Sequence, residues 1–163
     1  ENGEDSMYSR MDWGDIESFC SKAYNKSSDG ARLYMFSNRD GLRQMWNSIE
    51  SAGWNFRNII VWDKKNMGMG YHWRNQAEYI FYASKGKPKT YIKSSGNIFS
   101  HKKPRGLGHS AKPFEIWLRA LDGSLCEGDV CADPFSGSNP FLKALESNPD
   151  YLDKASLVYL NTF

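Results

Sequence analysis

Six residues, Asp133-Pro134-Phe135-Ser136-Gly137-Ser138, form the stretch of this 163-residue sequence whose types and spacing best suit ligand chemistry. They follow the short apolar run 130–132, which reads as a strand. Ligand loops sit at the carboxyl ends of strands in doubly wound sheets. Small residues let a backbone approach a ligand closely. A carboxylate such as Asp133 accepts hydrogen bonds from a ligand amine or hydroxyl. From spacing alone, an ordinary glycine turn capped by Asp133 fits equally well. Two basic clusters come next. Lys64, Lys65, Asn66, His72, Trp73 and Arg74 lie within 63–76, a connection long enough to suggest function. Lys102, Lys103 and Arg105 form the other cluster. Such side chains can hold phosphates, and the first loop could also wedge beside an extruded base. A solvated surface loop, with Trp73 packed inward, is the competing structural reading.

Net charge is +2, but it is unevenly spread. Residues 1–56 sum to −3 and residues 113–163 to −5. Between them, 57–112 carry twelve basic and two acidic side chains, net +10, together with all three histidines. Ten aromatics lie between Trp54 and Phe99. A basic surface interleaved with aromatics suits a polyanion with stackable bases, so nucleic acid is the expected partner. Hydrophobic residues at 40% and charged residues at 25% describe an ordinary globular chain. The abundance of aromatics argues against disorder. No stretch approaches the roughly 20 apolar residues of a membrane helix. No secretion signal opens the sequence, so a cytoplasmic location is expected. Three cysteines, an odd number, argue for a reducing compartment. Cys126 and Cys131, with His72, His101 and His109, show no zinc spacing, and no metal is expected. Neither a Gly-x-Ser-x-Gly elbow nor a phosphate-binding Gly-Lys-Ser/Thr loop occurs.

The elements that must position these residues follow from periodicity. Trp13, Ile16, Phe19, Cys20, Ala23 and Tyr24 predict a helix over 13–26, with Asp12 as its cap. A strand is predicted at 31–36, then a helix over 40–52 stopped by Gly53. Strands follow at 56–62 and 77–83, an antiparallel pair at one sheet edge. Residues 84–111 read as irregular and basic. Pro113 starts a helix to 121 at its first turn, 122–129 is a loop, and a final helix spans 149–157. Alternation of this kind predicts one α/β domain over 1–163 with a mostly parallel sheet.

Several stretches, in order, resemble the amino-group DNA methyltransferases of the permuted class, where the cofactor motif follows the catalytic one. Asn58-Ile59-Ile60-Val61-Trp62-Asp63-Lys64 with Gly70-Tyr71-His72-Trp73-Arg74-Asn75 looks like the family's strand and following loop. Residues 78–86 look like its next strand. His109-Ser110-Ala111-Lys112-Pro113 looks like its H-x-x-K-P helix start. Gly128-Asp129-Val130 through Ser138 resembles its G-D-x-V-x-D-P-F-x-G-S-G turn. Glu146 to Tyr151, with Ala155, resembles the acidic strand end and the helix after it.

The resemblance implies a Rossmann-like S-adenosylmethionine-dependent methyltransferase fold that methylates an exocyclic base amine in double-stranded DNA, adenine N6 before cytosine N4. It implies that Asp133 and Phe135 line the S-adenosylmethionine pocket and that Ser136, Gly137 and Ser138 form its backbone turn. Glu146 would receive the ribose hydroxyls, and Lys112, Pro113 and His109 would close the methionine end. Lys64, Lys65, Asn66, His72, Arg74, Lys102, Lys103 and Arg105 would contact DNA. The family often forms dimers, so a homodimer is an open expectation. Two departures stand out. The family's [D/N/S]-P-P-[Y/F/W] motif does not occur; its expected place is upstream of Met7, so no catalytic residue is named. Only seven residues separate Ser138 from Glu146, too few for the helix and strand expected there. A catalytically inactive DNA-binding relative and an RNA methyltransferase remain alternatives.

Overall fold

The computed structural model describes residues 12–89, 94–107 and 111–158. The element order is α1 (Trp13–Lys26), β1 (Arg32–Ser37), α2 (Leu42–Ser51), β2 (Asn55–Asp63), β3 (Ala77–Ser84), β4 (Ile98–Ser100), α3 (Phe114–Ser124), β5 (Asp129–Ala132), α4 (Pro140–Glu146), α5 (Pro149–Lys154) and β6 (Ala155–Val158). Strands hydrogen-bond in the order β1-β3-β2-β4, and β5 pairs with β6 separately. The β1/β3 pair is antiparallel, whereas β2/β4 and β5/β6 are parallel. The chain divides into two compact units, Glu1–Ile59 with Tyr79–Pro88, and Ile60–Glu78 with Lys89–Phe163.

In the first unit, α1 starts where the sequence places its cap. Asp12 accepts from the Asp15 backbone N–H at 2.8 Å, and Asp15 accepts from Asp12 N–H at 3.2 Å. This reciprocal capping box satisfies donors that a helix start leaves open. At the other end, Lys85 Nζ donates to the carbonyls of Tyr24 and Ser27, both at 2.8 Å. A cation there complements the helix dipole. The core gathers Cys20, Leu33, Met45, Ile49, Trp54, Phe81 and Ala83. Trp54 Nε1 donates to Cys20 O at 3.0 Å, tying the start of β2 to the middle of α1. Gly53 ends the α2 turn at φ +96°, and a Cβ there would lie 3.1 Å from the Tyr24 ring. Left-handed backbone and close approach both call for glycine.

In the second unit, Leu121, Phe141, Ala144, Leu145 and Tyr151 form a core under α3, α4 and α5. Trp117 meets Phe141 edge-on at 5.4 Å, and the Tyr151 hydroxyl donates to Asp122. Arg119 of α3 donates to the Ile98 carbonyl at 3.0 Å and lies 4.0 Å over the Phe99 ring. That contact, with Trp62 Nε1 donating to His101 O at 2.7 Å, secures the short strand β4.

Five expectations need correction. β2 and β3 are the two inner strands of the four-strand order, not an edge pair. Consecutive residues Ile80 and Phe81 are 1% and 0% exposed, so both faces of β3 are covered, as an inner strand requires. β4 lies inside the segment read as irregular. Pro113 is the cap before α3 rather than its first helical residue, and α3 continues to Ser124. α4 was not expected; its buried Phe141, Ala144 and Leu145 follow helical i, i+3, i+4 spacing. The last helix stops at Lys154, and 155–158 pair with β5 instead.

Ile49→Ala should destabilise the protein by about 3 kcal/mol in urea unfolding, since it empties a fully buried site. Burial, with Glu17 adding to it, pushes the Cys20 thiol up to about 11. Native protein should therefore leave Cys20 unlabelled by iodoacetamide at neutral pH, and Ile49→Ala should speed its labelling.

Candidate functional site

The candidate residues fall in the second unit, on the ends of β2, β4 and β5 and the loops that leave them. After β5, the Asp133 carboxylate accepts from Phe135 N–H at 3.2 Å, closing a local turn. Asn139 N–H donates to Ser136 O at 2.7 Å, and Gly137 and Asn139 have φ +50° and +54°. The chain thus folds tightly back before α4. Burial holds the Asp133 carboxyl above its ordinary value, opposed by the Phe135 N–H. The Phe135 ring is 44% exposed beside it. A half-buried acceptor next to an exposed ring can bind a group that is both flat and polar.

Glu146 does not stand at a strand end. It is the last residue of α4 and is exposed. The strand that follows the turn lies at 155–158, after two helices. The residues needed for a helix-then-strand passage are present, but they run past Glu146 rather than ending there.

Lys112 immediately precedes the buried cap Pro113 of α3. Its Nζ is 2.8 Å from Glu78 Oε2 and 5.7 Å from the Trp62 ring centroid. Glu78 Oε1 lies 3.4 Å from Lys64 Nζ. One carboxylate thus connects the start of α3 with the loop after β2. His109 lies outside the described residues.

The two basic clusters meet. Lys64, Lys65 and Asn66, together with Lys102, Lys103, Pro104 and Arg105, line one cavity of about 380 Å³. Asp63 draws them together. Its carboxylate accepts from Gln76 Nε2 at 2.7 Å, Lys65 N–H at 2.9 Å and Ser100 Oγ at 3.1 Å. Its carbonyl accepts from His101 N–H at 3.1 Å, extending the β2/β4 ladder. The Gln76 amide first, then the Lys65 N–H, push the Asp63 carboxyl down to about 2. His72 and Arg74 are not at the cavity. Arg74 Nε braces the loop by donating to Gly68 O at 2.9 Å. His72, at φ +65°, is exposed and meets Trp73 edge-on at 5.5 Å.

Asp63 and Glu78 were not singled out from the sequence. A signal was there: they are the two acids within 57–112, and each sits among cations it can hold. Among the described residues no group of three or more His, Cys, Asp or Glu could hold a metal ion.

A profile described as DNA methylase, of the N6/N4 methyltransferases, matches residues 2–148. The Type II methyltransferase M.HhaII of Haemophilus parahaemolyticus is 29% identical over 83 residues, 48% of this chain. The matched stretch spans 36% of that protein's length. Among solved structures, the M1.HpyAVI–SAM complex superposes with a TM-score of 0.73 at 15% identity, over 90% of this chain and 76% of that one. The cytosine-N4-specific PvuII DNA methyltransferase gives 0.70 at 12% identity, over 96% and 69%. A DNA modification methylase of Thermus thermophilus gives 0.67 at 17%, over 93% and 72%. At these identities the likeness is one of fold.

A folded pKa of about 2 for Asp63, below the ordinary 3.8, means its bonds are complete above the ordinary value and are lost as pH falls toward 2. Hydrogen exchange in 64–76 and 100–105 should accelerate over that window. Asp63→Ala should show the same fast exchange and quicker trypsin cleavage after Lys65 and Lys102 at neutral pH. Unchanged exchange in the variant would remove Asp63 from this role.

Proposed function

The chain belongs to the N6/N4 DNA methylase family, and we propose that it methylates an exocyclic base amine in double-stranded DNA with S-adenosylmethionine as donor. The observation that carries this reading is the basic cavity, joined through Glu78 to Lys112 within the unit that also holds the Asp133 turn. DNA-holding and cofactor-holding residues are thus neighbours in one packed unit. The reading takes 1–163 as one methyltransferase domain in the cytoplasm. No helix among the described residues is long and apolar enough to cross a membrane. A homodimer is part of the proposal, open to sedimentation.

The Asp133 turn suits the cofactor. A half-buried carboxylate can accept from an amine or hydroxyl of the nucleoside, Phe135 offers a ring face, and Ser136-Gly137-Ser138 let the backbone come close. Lys112 and Pro113, with His109, would close the methionine end. Glu146, on an exposed helix end, gains no support for ribose contact from its place. When bound, S-adenosylmethionine supplies an activated methyl on a sulfonium, open to direct displacement by an amine. The chain's own residues hold and orient the reactants, which is where such a reaction gains rate. Lys64, Lys65, Asn66, Lys102, Lys103 and Arg105 would hold phosphates and fix register, with His72 and Arg74 farther along the loop. The target base must leave the stack to be reached. We adopt adenine N6 over cytosine N4 as the acceptor, to be decided by the product.

Calorimetry with S-adenosylmethionine tests the cofactor half. Native protein should bind, and Asp133→Ala should weaken binding about ten- to a hundredfold, as loss of a hydrogen bond to a charged group does. Radiolabel transfer to duplex DNA, followed by nucleoside analysis, tests the rest. Salt-sensitive duplex binding without cofactor binding would instead favour a DNA-binding relative that has lost the reaction. Preference for single-stranded RNA would favour an RNA substrate.

A further inference from the structure

The loop between β2 and β3 carries an apolar edge that the basic cavity does not explain. Met67, Met69, Tyr71 and Trp73 occur at every second position and are 55%, 90%, 97% and 85% exposed. Exposed apolar side chains are common singly; four in one loop mark a contact surface. The loop is braced rather than slack. Lys64 N–H donates to Gln76 O at 3.1 Å, Gly68 N–H donates to Asn75 O at 2.8 Å, and Arg74 bonds the Gly68 carbonyl. A Cβ at Gly68 would sit 2.8 Å from Asn75 O, so the close crossing requires glycine. These bonds hold the loop in a shape that leaves the apolar side chains in solvent.

What lies at the foot of the loop identifies the partner. Lys64, Lys65 and Asn66 open the same loop and line the basic cavity with Lys102, Lys103 and Arg105. A ligand seated there is polyanionic, and its interior must accept methionine, tyrosine and tryptophan. Duplex DNA fits both terms: phosphates outside, stacked apolar base faces within. Apolar side chains inserted between base steps are a recurrent way of opening a duplex. Resting on the DNA-binding half of the proposed function, we propose that Met69, Tyr71 and Trp73 form a wedge that enters the base stack of duplex DNA while the cavity grips the flanking phosphates. The wedge is a contact to unmodified neighbouring base steps, separate from the cofactor turn.

The test compares binding of two short blunt duplexes of one mixed sequence, the second with a central abasic site. A wedge gains where stacking is already broken, because unstacking then costs less. Native chain should bind the abasic duplex about tenfold more tightly. The triple variant Met69→Ala, Tyr71→Ala, Trp73→Ala should lose that preference and keep its salt dependence, since every substituted side chain is in solvent. The variant Lys102→Ala, Lys103→Ala should weaken both duplexes together, keep the preference and flatten the salt slope. Salt-dependent binding by native chain with equal affinity for both duplexes would overturn the wedge and leave DNA recognition standing. Preference that survives in the triple variant would overturn it as well. Absence of duplex binding would overturn both. A concentration-dependent dimer that the triple variant abolishes, with DNA affinities unchanged, would assign the loop to a second copy and overturn the wedge.

Discussion

Bringing Lys64, Lys65, Lys102, Lys103 and Arg105 around one cavity is opposed by their mutual repulsion, and the Asp63 carboxylate is what offsets it. The residue stands at the end of β2, where its backbone continues the parallel ladder to β4 while its side chain reaches Gln76, Lys65 and Ser100. Four hydrogen bonds therefore depend on one position. Two belong to the loop after β2, and two to the segment that leads into Lys102 and Lys103. Glu78 repeats the arrangement at the start of β3, pairing Lys64 and Lys112 with both carboxylate oxygens. Both Glu78 pairs are largely buried, so solvent screens them less than a surface pair. The positive field of the middle of the chain is thus shaped by its two negative residues.

The two units use different means to reach order. The first rests on a dense aromatic core, where Trp46, Phe56 and Phe81 meet at tilted and edge-on angles. Helix ends there are closed by charge, with Asp15 at one end of α1 and Lys85 at the other. The second unit has shorter helices and strands of three or four residues. Side chains bonded to backbone carbonyls, such as Trp62 to His101 and Arg119 to Ile98, supply what its short ladders do not. That distribution suits a binding surface, because positions on short elements fixed by individual bonds can be re-aimed one at a time.

Long amphipathic patterns were readable in the sequence. The helix over 13–26 matches α1 at both ends, Asp12 caps it, and Gly53 closes α2, because spacing and caps are local properties. The turn at 133–138 was readable for the same reason. The features that were not readable depend on distant partners. β4 is three residues long, and its pairing with Val61–Asp63 defines it. The change from helix to strand at Ala155 needs β5 beside it. Resemblance placed Glu146 on a strand, but the burial of Phe141, Ala144 and Leu145 makes its segment a helix. The basic residues were legible as a composition. Their convergence on one cavity was not, since it hangs on Asp63, which in the sequence is one acid amid many cations.

The short strand β4 is held independently of the chain that leads into it, by β2 on one side and Arg119 on the other. The connection from Ser84 to Ile98 can therefore change in length without shifting Lys102, Lys103 or Arg105. Doubling such a connection costs only about 0.6 kcal/mol of closure entropy. Insertions and deletions between β3 and β4 are thus nearly neutral for the phosphate grip. That connection is where descendants of this fold can diverge freely, acquiring new sequence preferences while the electrostatic anchor stays in place.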